Sequence, residues 1–115
     1  MRKLLTFASI AMCIGLFGCS RKPDSDVTVR NDSNSVIAEA KIIICKQTFV
    51  AKNIEHGEER TFNYFVKGDS GYHIAVRFSD GHSLEKEDGY VTTGFAFHDL
   101  LIVDDNDITI VSKVE

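Results

Sequence analysis

Four histidines, one cysteine at the end of an isoleucine run and several acidic clusters are the residues of this chain with chemistry to offer. His56, His73, His82 and His98 are the types that bind transition metals. Such sites recruit ligands as closely spaced pairs, H-x-H or H-x-x-x-H, because neighbours on one element converge on one ion. Each histidine here stands alone. His56 sits beside Glu55, Glu58 and Glu59, and His82 follows Asp80-Gly81, so both read as surface residues of turns. Asp104-Asp105-Asn106-Asp107 offers the oxygens that calcium prefers, without the alternate spacing or the distal bidentate glutamate of a calcium loop. A solvated turn accounts for it. Cys45 closes Ile42-Ile43-Ile44 and reads as a small buried hydrophobe, with no helix start to activate its thiol. No G-x-S-x-G elbow is present. The pairs Glu58-Glu59 and Glu87-Asp88 fall at expected turns. Gly68 and Gly71 flank a turn and lead into no helix, so no phosphate loop forms. The expectation is a non-enzymatic chain with no catalytic residue, metal site or cofactor. The alternative of another class is a small-ligand-binding or catalytic pocket lined by Tyr64, Tyr72, Tyr90, Phe95 or Phe97. Filling a core is the simpler use of those rings.

The elements that must position these residues are strands. Val27 and Val29 alternate with polar neighbours, and Asn31-Asp32-Ser33-Asn34-Ser35 is a cluster of turn formers. Val36 to Cys45 is β-rich, with Ala38, Ala40, Ile42 and Ile44 expected on one face. Thr48 to Ile54 is a weaker strand, and Glu55-His56-Gly57-Glu58 turns the chain. Phe62, Tyr64 and Val66 alternate with Asn63, Phe65 and Lys67, before a turn at Gly68-Asp69-Ser70-Gly71. Tyr72, Ile74, Val76 and Phe78 give the cleanest period-two stripe. Leu84 should share its face. A two-residue loop at Asp80-Gly81 would set Leu84 opposite Arg77, on the solvent side. A three-residue loop, Ser79-Asp80-Gly81, pairs Val76 with Leu84 and gives Gly81 a left-handed position. That register also sets His73 opposite Glu87 and Arg77 opposite Ser83. Tyr90-Val91, Phe95 to Val103 and Ile108 to Val114 follow as strands. No sustained helical period, internal repeat or low-complexity tract appears. The fold class is all-β, an antiparallel sandwich of about seven strands over residues 26–115.

The start of the chain is of another kind. Arg2 and Lys3 precede an uncharged run, Leu4 to Phe17, which is short of the ~20 residues of a membrane span and has the layout of a signal peptide. Leu16-Phe17-Gly18-Cys19 resembles the lipobox of bacterial lipoproteins: an aliphatic residue, a variable position, a small residue and cysteine. The resemblance implies recognition of Leu16 and Gly18 by the lipoprotein signal peptidase, cleavage after Gly18, and lipid attachment at Cys19. Residues 1–18 are then a signal peptide with its helix, and 19–25 a lipidated cysteine and polar linker. Ser20, where aspartate would retain a lipoprotein in the inner membrane, implies the outer membrane with the domain on its periplasmic face. Removing residues 1–18 leaves 97 residues and moves the net charge from −4 to −6. That is one small domain, and its acidity gives no footprint for nucleic acid. Only Cys45 then remains as a thiol.

Val27 to Gly81 is also similar to adhesion-related bacterial immunoglobulin-like modules. The shared residues are Val27-Thr28-Val29-Arg30-Asn31 with Ser33, Ile54 followed by Gly57-Glu58, Phe62-Asn63-Tyr64, and Gly71-Tyr72-His73-Ile74-Ala75-Val76. These are fold motifs common to many functions. Gly89 to Glu115 has no counterpart in that pattern. The functional expectation is a membrane-anchored interaction or envelope-structural module. It would be held by acyl chains on Cys19 and would meet an envelope protein partner. An immunity-type or hydrolase-inhibitor lipoprotein is the alternative.

Overall fold

The computed structural model describes residues 23–115. The lipobox residues Leu16, Gly18 and Cys19 lie outside the described residues. Eight strands follow in order: β1 (Ser25–Asn31), β2 (Ile37–Ile44), β3 (Gln47–Ile54), β4 (Glu59–Tyr64), β5 (Ser70–Phe78), β6 (Ser83–Val91), β7 (Phe97–Val103) and β8 (Ile108–Val114). They form two four-stranded sheets, ordered β4-β1-β7-β8 and β3-β2-β5-β6. All pairings are antiparallel except β1 with β7, which run parallel.

The two sheets close over one apolar core because their strands alternate in burial. In β1, Val27 and Val29 are buried. β5 buries Tyr72, Ile74, Val76 and Phe78, and β7 buries Phe97, Leu101 and Val103. Facing rings finish the layer: Phe49 of β3 stacks on Phe62 of β4 with centroids 5.1 Å apart, joining the two sheets along one flank.

The hairpin register selected by parity is the one formed. Val76 lies opposite Leu84, Arg77 opposite Ser83 and His73 opposite Glu87. The Phe78 N–H donates to the His82 carbonyl at 2.9 Å and the Gly81 N–H to the Phe78 carbonyl at 3.0 Å. Gly81 takes φ 101°, the left-handed conformation that the three-residue loop demands.

Other expectations are corrected. The described residues form eight strands rather than about seven. The charged run Glu85-Lys86-Glu87-Asp88 belongs to β6, where it lies along an exposed edge. Glu87-Asp88 is therefore within a strand and not at a turn, and Tyr90-Val91 is the end of β6. In β2 the shared face is Ile37, Ala40, Ile42 and Ile44. A bulge between Ile37 and Glu39 shifts the parity, so Ala38 leaves the core face and Ile37 enters it. Cys45 is not in a strand. With Lys46 it forms the two-residue β2–β3 loop, at φ 50° and 62°, the paired positive values of a type I′ turn.

Candidate interaction surface

Strand directions divide the molecule into two ends. The chain enters at Ser25, beside the 45–46 turn and the loops 65–69 and 92–96. The opposite end gathers four loops, residues 32–36, 55–58, 79–82 and 104–107, which follow β1, β3, β5 and β7.

Asn31, at the end of β1, holds this loop end together. It is fully buried. Its Nδ2 donates to the carbonyls of Ser35 and Ile54, both at 2.8 Å, and its Oδ1 accepts the Ser33 N–H at 2.9 Å and the Ser33 hydroxyl at 2.6 Å. All the polar capacity of a buried amide is thereby used, the condition under which burial is tolerated. Further bonds cross between loops. Asp105 accepts the Asn34 backbone N–H at 2.8 Å and its side-chain amide at 2.7 Å. His82 reaches the Asp105 carbonyl with Nε2 at 3.2 Å. Nδ1 of His56 donates to the Ser33 carbonyl at 2.8 Å.

The four loops carry Asp32, Glu55, Glu58, Asp80, Asp104, Asp105 and Asp107, and no lysine or arginine. Several of these acids already have internal work. Oδ1 of Asp104 accepts the N–H groups of Asn106 and Asp107 at 3.0 and 2.9 Å. Asp107 meets Lys86 Nζ at 3.3 Å. The expected solvated turn at 104–107 is what forms. The Ile108 N–H and Lys86 hold the Asp107 carboxyl below its ordinary value.

The histidines do not converge. Among the described residues, no group of three or more His, Cys, Asp and Glu side chains is arranged to hold a metal ion. Instead each of three histidines bridges two acceptors. His73 meets Glu87 at 2.9 Å and Glu85 at 3.3 Å. His82 meets Asp80 at 2.6 Å and the Asp105 carbonyl. His98 meets Asp26 at 2.7 Å and Glu115 at 3.3 Å. Only an imidazolium can donate from both nitrogens, and hydrogen bonds to Glu87, Asp80 and Asp26 respectively raise the three values above the ordinary one.

The aromatics expected to line a pocket separate. Tyr64, Tyr72 and Phe97 are in the core, while Tyr90 and Phe95 face outward. Cys45 is buried, as expected, with its Sγ accepting the Lys67 N–H at 3.4 Å. A shallow depression of about 350 Å³ lies against it, lined by Cys45, Lys46, Gln47, Lys67, Asp69 and Ser70.

The least expected polar feature is internal. The Tyr64 hydroxyl is 2.9 Å from that of Tyr72, which donates to Asp99 Oδ2 at 2.6 Å. Ser112 donates to Asp99 Oδ1 at 2.8 Å. This chain crosses from β4 to β5 and back to β7 and β8, so it ties the two sheets. Burial pushes the Tyr64 phenol up to about 12 and the Tyr72 phenol further. The sequence carried one signal for it: Asp99 falls on the same alternation as Phe97, Leu101 and Val103, an acid on an apolar face.

Compared with protein-family models, curated proteins and solved structures, the chain matches none. What stands is an all-β domain of two packed sheets whose described residues contain no metal-binding cluster.

Proposed function

We propose that this chain is a non-enzymatic lipoprotein, fixed to the periplasmic face of the outer membrane through acyl chains on Cys19, whose loop end docks an envelope protein. The observation that carries the docking surface is the hydrogen-bonded union of four loops at the end remote from Ser25. Ordering entropy already lost on folding is not lost again on binding. The lipobox residues Leu16, Gly18 and Cys19 carry the anchor.

An immunoglobulin-like kinship belongs to the same reading. Adjacency of β1 with β4 and the order β3-β2-β5-β6 follow the second to seventh strands of that architecture. β7 and β8 then extend the sheet on the side where the first strand would lie, with β7 parallel to β1.

A specific observation favours the inhibitor or immunity variant. Of its seven loop acids, Asp32, Glu58, Asp80 and Asp107 are paired with Arg30, Arg60, His82 and Lys86. Glu55, Asp104 and Asp105 leave the loop end net acidic, a surface complementary to a basic enzyme. Site-specific photo-crosslinking in intact envelopes tests the docking surface. A crosslinker at Asn106 should trap one defined protein, and one at Lys52, on the flank of β3, should not. Equal labelling at both positions would contradict a loop-end dock.

A further inference from the structure

Four strands end the sheets, and three of these edges are protected against further pairing. β6 carries Glu85, Lys86, Glu87 and Asp88. β3 has Lys52 and a left-handed Asn53 at φ 56°. β4 carries Glu59 and Arg60, and Arg60 reaches back to the Asn53 carbonyl at 3.4 Å. Charges and kinks of this kind keep an edge from acting as a template. β8 differs. Its sequence is ITIVSKV, with five β-branched residues and one charge, at Lys113.

The register of β8 shows which of its backbone groups are free. Ala96 and Glu115 exchange both N–H to carbonyl bonds, so alternate pairs onward from there are the hydrogen-bonded ones. Thr109, Val111 and Lys113 thus point their backbone groups at β7. Ile108, Ile110, Ser112 and Val114 point theirs away. Ile108 is already served: its N–H donates to Asp107 Oδ1 at 2.8 Å and its carbonyl accepts from Lys86 Nζ at 2.6 Å. Among the described residues, Ile110, Ser112 and Val114 then remain with no backbone partner on this edge.

We infer that this edge pairs with the same edge of a second copy, antiparallel and centred on Ser112. That register alone uses every free residue: Ile110 opposite Val114, Ser112 opposite Ser112, and Val114 opposite Ile110, six hydrogen bonds in all. It is self-complementary, as a two-fold interface must be. The side chains agree with it. Half-exposed Val114 meets Ile110 on the inner face. On the outer face Lys113 stands opposite Val111 of the second copy and not opposite its own counterpart. The pair forms one eight-stranded sheet, in which the outward row Leu100–Val111 of one chain continues into Lys113 and His98 of the other. The two chain entries leave at opposite ends. Tethers of residues 20–25, roughly 20 Å each when extended, let both reach one membrane with the strands lying along it. The inference stands without the lipid anchor.

The test is register-specific crosslinking of the full chain in detergent micelles. Ser112→Cys sets two thiols across a hydrogen-bonded antiparallel pair, with Cα atoms about 5.5 Å apart, within reach of a short bis-maleimide. It should link roughly tenfold or more faster than Ile110→Cys, whose counterparts are offset by four residues along the strand. In parallel, the unmodified chain should sediment as a dimer at high micromolar concentration. Val114→Lys, at an already exposed position, should be monomeric with unchanged circular dichroism. An unmodified chain that is monomeric throughout, or equal linking by the two cysteine variants, would overturn the pairing.

Discussion

Replacing Tyr72 by phenylalanine removes one oxygen from the centre of the bridge between the sheets. Asp99 is 2% exposed and Tyr64 fully buried. Without the Tyr72 hydroxyl, Asp99 Oδ2 loses its 2.6 Å donor and the Tyr64 hydroxyl loses its 2.9 Å acceptor. Losing a hydrogen bond to a charged group costs about 1.5–3 kcal/mol, and stranding a second buried polar group adds about 1. The expected cost is therefore about 2.5–4 kcal/mol, a fall in Tm of roughly 10–30 °C for a domain of this size. Tyr64→Phe removes only the outer donor and leaves the Tyr72–Asp99 bond in place, so it should cost about 0.5–1.5 kcal/mol. Urea unfolding followed by circular dichroism measures both, since the chain has no tryptophan. Equal costs for the two variants, or a Tyr72→Phe cost below about 1 kcal/mol, would refute the claim that Tyr72 is the group satisfying Asp99.

Three further outcomes follow from the same structure. Val76→Ala, in the buried stripe of β5, should cost about 1–3 kcal/mol, while Arg77→Ala, on the exposed pair with Glu39, should cost under about 1; equal costs would reject the hairpin register. The raised values of His73, His82 and His98 favour the charged ring in the folded state. That stability is complete below the ordinary 6.5 and is lost as pH rises through the folded values. The lowered carboxyls of Asp80 and Asp107 act in the opposite sense, losing their contribution as pH falls below about 3.8. Chemical denaturation across pH 4 to 9 should show stability declining from pH 6 to 9, and a rise over that interval would contradict the imidazolium bridges. At the alkaline end, the stability tied to neutral Tyr64 and Tyr72 should be intact below pH 10 and drain above it, read as delayed tyrosinate absorbance.

Local alternation made β5 and its hairpin legible, because one residue of slip would have exposed Leu84. The same rule failed at Ala38, where a bulge inserts a residue that no local pattern marks. It was less decisive at the far end of β6, where Glu87-Asp88 resembled a turn although the hairpin register already set Glu87 opposite His73. The loop end was half legible. The turn formers 31–35 and 104–107 were visible, but the bond between Asn34 and Asp105 spans 71 residues and depends on β1 lying beside β7. The Tyr64–Tyr72–Asp99–Ser112 chain was illegible as a unit for the same reason. Each member sits on a different strand, and only the packing of two sheets brings them together.

Anchoring by Cys19 is the claim on which the functional reading turns, and the intact mass of the protein purified from envelopes tests it most directly. The anchored form should begin at Cys19 and carry the added mass of its acyl chains, and Cys19→Ala should leave residues 1–18 attached. A mature chain that begins elsewhere, or one that begins at Cys19 with no added mass, would contradict it.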